Sequence, residues 1–241
     1  VEEYGISREE QDRFALESHR KAVRAWEEDC FDAEIVPVEA PGRKLPPSPK
    51  VGRGVGGEGL RTTVRVERDE RPRSDTSMEK LARLRPVFKE DGTITAGNAS
   101  GITDGAAAVV VMRADRAQAL GIEPLAHIEA FASAGVEPRR MGMGPVPATR
   151  KVLAQRSEHA GLSLGDIDLI ELNEAFAAQV LAVERELAWD VSRRNVHGGA
   201  VALGHPTGCT GTRIVVTLLH AMQQRDAEWG LATLCVSGGL G

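Results

Sequence analysis

From Ile167 to Leu172 a strand-length segment runs without a linker into a helical stripe, and that junction limits what the chain can fold into. Phe176, Val180, Val183 and Leu187 repeat at steps of four, three and four, giving one apolar helix face between Glu174 and Ala188. A Gly-rich stretch, 198 to 211, then feeds a second stripe of Ile214, Val215, Leu218, Leu219 and Met222, and a strand from Leu231 to Val236 follows. This is βαβ rhythm, which points to an α/β protein with a parallel sheet. Upstream, Ala106 to Met112 is a continuous apolar run that wants both faces covered. Leu125 to Ala134 reads as another strand and Pro147 to Ala160 as a helix.

The N-terminal third is organised differently. Ser7-Arg-Glu-Glu10 is a capping box, so a helix is expected over 7–27, packed by Phe14, Ala15, Ala22, Val23 and Trp26. Ala33 to Val38 reads as a short strand. Pro41 to Arg73 lacks periodicity and reads as loop. Nine Lys and Arg against four acids give it a local charge of +5. Within it, Gly52-Arg-Gly-Val-Gly-Gly imitates a dinucleotide fingerprint, but no apolar strand precedes it and no periodic helix follows. A helix near 77–83 and a Gly-Asn-Ala-Ser-Gly turn at 97–101 complete this part.

Composition removes several function classes. The formal charge is −5 and only nine of 241 residues are aromatic, which argues against a nucleic-acid partner. The longest uncharged run, Asn195 to Thr212, holds five Gly and one Pro and makes a poor bilayer span, so no membrane partner is expected. Three cysteines without framework spacing read as free thiols in a reducing compartment, and the expected location is cytoplasmic.

Three short constellations lie where a strand ends or the following helix begins, the place where open α/β sheets bind ligands. They are Asn173-Glu-Ala-Phe176, Gly204-His205-Pro206 with Thr207-Gly208, and Cys235-Val-Ser237-Gly-Gly-Leu-Gly. A histidine beside a helix start is held neutral by the dipole and serves as a base or an oxyanion donor. A cysteine entering a Gly-rich loop has backbone N–H groups near its sulfur. For each residue alone a structural role is commoner: Asn173 as a helix cap, His205 as a turn histidine, Cys235 as a small buried hydrophobe.

Together these motifs resemble the thiolases, the acetyl-CoA acyltransferases. Asn173-Glu-Ala-Phe-Ala, Asn195-Val-His-Gly-Gly-Ala-Val-Ala-Leu-Gly-His-Pro-Thr-Gly and the Cys235 motif stand in that family's order and spacing. Thr95-Ala-Gly-Asn-Ala-Ser-Gly-Ile-Thr-Asp-Gly-Ala-Ala, Met143-Gly-Pro-Val-Pro-Ala and Ile6-Ser-Arg-Glu-Glu-Gln-Asp also match. The resemblance implies a layered αβαβα fold, with the C-terminal half complete except its last strand and only part of the N-terminal half. In these terms 1–93 is the loop-domain remainder with the N-terminal helix. Residues 94–120 are the last strand region of the N-terminal half, and 121–241 the C-terminal half.

The implied reaction is reversible thiolysis of a 3-ketoacyl-CoA, or Claisen condensation of acetyl-CoA. Coenzyme A is a substrate and no cofactor or metal is implied. By resemblance His205 activates the nucleophile and forms an oxyanion hole with Asn173, whose counterpart holds a water. Cys235 moves the α-proton, and Ser237 supplies a backbone N–H to a second oxyanion hole. Ala96, Ser100, Gly101, Phe88, Met141, Ala175 and Phe176 would line the pantetheine tunnel. The +5 stretch is a candidate attractor for the CoA phosphates. A homodimer or homotetramer is implied for the full-length form.

The sequence departs from the family in three ways. The family's acyl-accepting cysteine lies in the first half of a longer chain, and neither Cys30, amid acids, nor Cys209 replaces it. Ser237 stands where the family has glycine, which raises the expectation of backbone strain. The closing strand after Gly241 is absent. An isolated chain without acyltransfer is therefore expected, with a noncatalytic acyl-CoA or lipid-binding relative as the alternative. A Cys/His hydrolase built on Cys235 and His205 is a third reading, disfavoured because no orienting acid motif accompanies them. The strand expected at Ala106–Met112, short of neighbours, would expose its edges.

Overall fold

The computed structural model describes residues 1–41, 63–160 and 162–241, with the side chains of 156–160 outside the description. The glycine-rich run from Gly52 and the cations Arg43, Lys44, Lys50, Arg53 and Arg61 lie outside the described residues. The chain forms two compact units, Ile35–Glu70 and the remainder, Val1–Glu34 with Arg71–Gly241.

In the smaller unit β1 (Val38–Pro41) pairs antiparallel with β2 (Thr63–Val66), Val38 opposite Val66. This corrects two expectations. Ala33–Glu34 is turn, and the strand begins at Val38, the residue where backbone pairing with β2 starts. The loop assigned to 41–73 contains β2, whose four residues are all exposed, so no buried stripe marked it in the sequence.

The larger unit opens with α1 (Arg8–Glu27). Its capping box is formed: Glu10 N–H donates to Ser7 Oγ at 3.1 Å and Ser7 N–H to Glu10 Oε2 at 2.7 Å. Phe14, Ala15, Ala22 and Trp26 are buried. Next come α2 (Met78–Ala82), capped by Ser77, α3 (Ala114–Leu120), which ends on left-handed Gly121, and α4 (Pro145–Ala160). A 3-10 helix, Pro138–Met143, precedes α4.

The centre of this unit is β3 (Leu169–Leu172), all four residues buried, paired in parallel with β4 (Gly230–Thr233). Between them run α5 (Ala177–Leu187), the short α6 (Ala200–Leu203) and α7 (Thr210–Arg225). Parallel strands require such a crossover. Phe14, Ile170, Leu172, Val180, Val183 and Val201 meet in one core, and burial of each large apolar side chain contributes roughly 1.5–3 kcal/mol.

Several elements differ from the sequence reading: β3 starts at Leu169 rather than Ile167 and α4 at Pro145 rather than Pro147. Helix α5 starts at Ala177 rather than Glu174, because Phe176 stays extended and bridges to Ala99 while Ala177 N–H donates to Asn98 O. Strand β4 stops at Thr233, three residues short of Val236. Neither Ala106–Met112 nor Leu125–Ala134 forms a strand. Val110 is 86% and Phe131 85% exposed. β-propensity expresses itself through neighbouring strands and covered faces: among the described residues Ala106–Met112 has neither, and Leu125–Ala134 is paired only at its end, where Ala134 and Gly241 exchange N–H to O bonds at 3.0 Å.

Candidate active site

The C-terminal end of the β3–β4 pair is built around a fully buried carboxylate that sequence reading took only for a helix start. Glu174 accepts from Ser18 Oγ at 2.7 Å, from Asn195 Nδ2 at 2.8 Å and from the Val201 N–H at 3.1 Å, with Arg194 Nη1 3.7 Å away. Three donors and a nearby guanidinium offset the cost of burying the charge. Glu174 thereby joins α1, the strand end and the start of α6. Helix α6 ends on left-handed Gly204, and His205 follows.

Asn173 sits at the tip of β3, where its N–H donates to Thr233 O at 3.0 Å. Its side chain is fully buried, and neither Oδ1 nor Nδ2 has a partner among the described residues. A donor and an acceptor left open in a dry setting cost roughly 1–3 kcal/mol each, so the amide is poised for a water or a substrate oxygen. A helix cap would have spent that oxygen on a backbone N–H. Cys235 lies two residues past Thr233, 6% exposed. Burial pushes its thiol up to about 11, so it is protonated at neutral pH and gives up that proton only to a strong base such as a carbanion.

His205 is tied to the same end by backbone links. Its N–H donates to Gly101 O at 2.8 Å, and the neighbouring Ser100 donates to Ala175 O from both N and Oγ at 3.0 Å. Ala175 N–H in turn donates to Asn173 O at 3.1 Å. Burial, and secondarily Arg213, holds the imidazole below its usual range, so it is neutral at pH 7. His205 Nδ1 meets Thr210 Oγ1 at 2.7 Å. Beside it, Thr103, Asp104, Gly105, Ala106, Pro206 and Cys209 contribute to the lining of an open cleft of about 420 Å³.

The residues expected to hold pantetheine fall into three groups. Ser100, Gly101, Ala175 and Phe176 share the backbone links just described, and Phe88 packs edge-on to Phe176 with ring centroids 5.9 Å apart. Phe88 is nonetheless 72% exposed, so it is not a core residue. Ala96 is exposed on the preceding turn. Met141 lies on the 3-10 helix, which meets α5 where Gly142 abuts Gln179, a buried amide with neither polar atom bonded. The Arg71 guanidinium lies directly against Gly101.

Ser237 is exposed in the turn closed by Val236 N–H to Leu240 O at 2.8 Å. The left-handed residues of that turn are Gly238 and Gly239, so the backbone strain expected at Ser237 is not present. Cys30 has its thiol raised by burial and then by Glu28, which agrees with its rejection as a nucleophile. Cys209 caps α7 without a side-chain cap bond. Among the described residues no His, Cys, Asp and Glu side chains group so as to hold a metal ion.

Sequence reasoning overlooked Glu174, Asn195 and Thr210. Glu174 and Asn195 stood inside the quoted motifs, but their partners lie up to 156 residues away.

The thiolase N-terminal domain model matches residues 1–115 and the thiolase C-terminal domain model residues 122–241. Acetyl-CoA acetyltransferases of Escherichia coli K12 and Pseudomonas aeruginosa are 54% and 53% identical over 241 residues. The match covers 100% of this chain and 56% of each relative, so the chain spans about half their length. The crystal structure of the Bacillus anthracis acetyl-CoA acetyltransferase superposes with a TM-score of 0.89 at 48% identity, covering 100% of this chain and 56% of that one. Human mitochondrial 3-ketoacyl-CoA thiolase gives 0.84 at 40% identity, over 99% and 55%.

Proposed function

The chain belongs to the thiolase family, and from that premise we propose that it carries the proton-transfer and oxyanion side of an acyl-CoA acyltransferase site. Its fold is the layered α/β arrangement of thiolases over about half the length of the solved ones. The observation that carries the reading is Asn173: a fully buried amide with both polar atoms open among the described residues, bonded through its N–H to Thr233 on the neighbouring strand, two residues before the buried thiol of Cys235.

In this reading His205 Nε2 takes the proton of the acyl-accepting thiol. The thiolate adds to the keto carbon of a 3-ketoacyl-CoA, and the oxyanion that forms is met by His205 and by a water held on Asn173. Carbon–carbon cleavage returns those electrons to the acetyl-CoA enolate, whose carbon takes the proton of Cys235. The Ser237 N–H serves the enolate oxygen. Ser100, Gly101, Ala175, Phe176, Phe88, Ala96 and Met141 face the pantetheine arm. Free CoA, its thiol proton taken by the Cys235 thiolate, then removes the acyl group through a second tetrahedral oxyanion, and the released thiolate takes its proton back from His205; condensation is the same path reversed.

None of the three cysteines offers a thiolate suited to accept the acyl group. Two have raised thiols, and Cys209 stands at the N-cap of α7, where the family resemblance gives no acyl-accepting role. Turnover by this chain alone is therefore absent, and acyl-CoA binding is retained. That retention is shared with a noncatalytic acyl-CoA-binding relative, which the raised thiols of Cys30 and Cys235 favour. The three free thiols support a reducing, cytoplasmic setting, and family membership supports a homodimer or homotetramer for a full-length form.

Intact-mass measurement after incubation with acetyl-CoA is expected to return the unmodified chain, while calorimetry detects acetoacetyl-CoA binding that Asn173→Ala weakens. Acetyl on Cys235 overturns the role given to it. Failure to bind acetoacetyl-CoA overturns the reading as a whole.

A further inference from the structure

The contact between His205 and Thr210 fixes more than a position. Thr210 is the first residue of α7 and fully buried. Its Oγ1 lies 2.7 Å from His205 Nδ1 and 3.0 Å from Pro206 O. Two contacts need two protons, and a hydroxyl has one. Were that proton given to the imidazole, the hydroxyl and carbonyl oxygens would face each other at 3.0 Å with nothing between them. The opposite assignment leaves no such gap: the hydroxyl donates to Pro206 O, and the ring's Nδ1–H donates to the hydroxyl oxygen. Pro206 O already accepts the N–H groups of Cys209 and Thr210 at 2.8 and 2.9 Å, the usual closure of a first helical turn. Its position is fixed by those bonds, so it holds the hydroxyl in turn.

We infer that Thr210 is a positioning residue that locks His205 in the Nδ1–H tautomer, leaving the lone pair on Nε2. This rests on the proposed role of His205 as the base and supplies what that role requires, a basic nitrogen of defined identity. A hydroxyl suits the task differently from a carboxylate. It orients the ring and accepts its proton, yet adds no negative charge that would favour imidazolium. The ring can thus accept a proton at Nε2 and pass it on as an oxyanion donor, Nδ1–H remaining bonded throughout.

Nitrogen-15 two-bond correlation spectra of the histidine-labelled chain, without any acyl-CoA, test this directly. His205 is assigned by the signal lost in His205→Gln. The expected spectrum has Nδ1 in the pyrrole-like range and Nε2 in the pyridine-like range. Thr210→Val, which keeps the shape and removes the acceptor, is expected to shift the ring to a tautomer mixture, and Thr210→Ser to restore the wild-type pattern. A wild-type Nε2–H tautomer, or an unchanged pattern in Thr210→Val with the fold intact by circular dichroism, overturns the inference. If Thr210→Val does not fold, Thr210→Ala, which removes the same oxygen, takes its place with the same two outcomes. A chain with the expected tautomer that binds no acyl-CoA keeps this inference and loses the proposed function.

Discussion

Asn195 clasps Leu172 twice: Leu172 N–H donates to Asn195 Oδ1 and Asn195 Nδ2 donates to Leu172 O, both at 2.9 Å. The asparagine side chain thus acts as a short length of strand beside the last residue of β3. Its own N–H donates to Ile170 O at 2.8 Å, and it holds a left-handed φ of 43°, a conformation asparagine tolerates better than most residues. The clasp fixes the residue that immediately precedes Asn173.

Removing that clasp should be expensive. A buried group left without its partner costs roughly 1–3 kcal/mol, so Asn195→Ala, which frees Leu172 on both sides and Glu174 on one, is expected to lose on the order of 3 kcal/mol. Asn195→Asp should be worse near neutral pH, because an ionised oxygen would then face Leu172 O and Glu174 Oε1. Urea unfolding measures both. A loss below about 1 kcal/mol for Asn195→Ala would show that the strand end holds itself.

How much of this was legible in the sequence follows from how local each cause is. The capping box of α1 spans four residues, the α7 stripe lies within one helix and the α5 stripe does so from Val180 onward, so pattern recovers them except at Phe176, which stays extended. Val180, Val183, Ile214 and Leu218 are buried as their spacing requires. Ala106–Met112 has the composition of a buried strand but pairs with no strand among the described residues. The site motifs were visible as motifs, whereas their supports were not. Ser18 reaches Glu174 across 156 positions, and no periodicity reports such a bond. Thr210 was hidden for another reason: its role depends on counting protons between two contacts, which needs coordinates.

Three buried titratable groups set opposing pH slopes. Burial raises the Glu171 carboxyl from 4.5 to about 8, because Arg213 at 3.7 Å, without a hydrogen bond, does not offset desolvation. The fold then holds a proton that the unfolded chain releases. Stability from this group is complete below about pH 4.5 and lost as pH rises towards about 8. Burial draws His19 and His197 from 6.5 down to about 4, so their contribution is present above pH 6.5 and lost as pH falls towards 4. Two histidines outweigh one glutamate below 6.5, and the glutamate acts alone above it. Each full slope is about 1.4 kcal/mol per pH unit. Denaturant midpoints are expected to fall on both sides of roughly pH 6.5, with Glu171→Gln flattening the alkaline limb and His197→Gln reducing the acid one. An alkaline limb unchanged in Glu171→Gln would assign that slope to other groups.

Two glycines at the site look equally crowded and should respond differently to alanine. Gly199 has an extended φ of −143°, which any residue adopts, so the question there is space alone. A Cβ at Gly199 would be driven into the carboxyl group of Glu174, and one at Gly101 into the guanidinium of Arg71. Glu174 is held by Ser18, Asn195 and Val201 and cannot retreat without breaking buried bonds. The Arg71 head is the far end of a flexible, half-buried side chain and can swing aside. Overpacking against a fixed group typically costs about 1–3 kcal/mol. Gly199→Ala is therefore expected to lose about 2 kcal/mol or more in a urea melt and to perturb the His205 ring signals, since α6 carries His205 at its end. Gly101→Ala should stay within about 1 kcal/mol and leave those signals in place. The reverse ranking would mean that Glu174 is not the rigid centre around which the strand end, α6 and His205 are set.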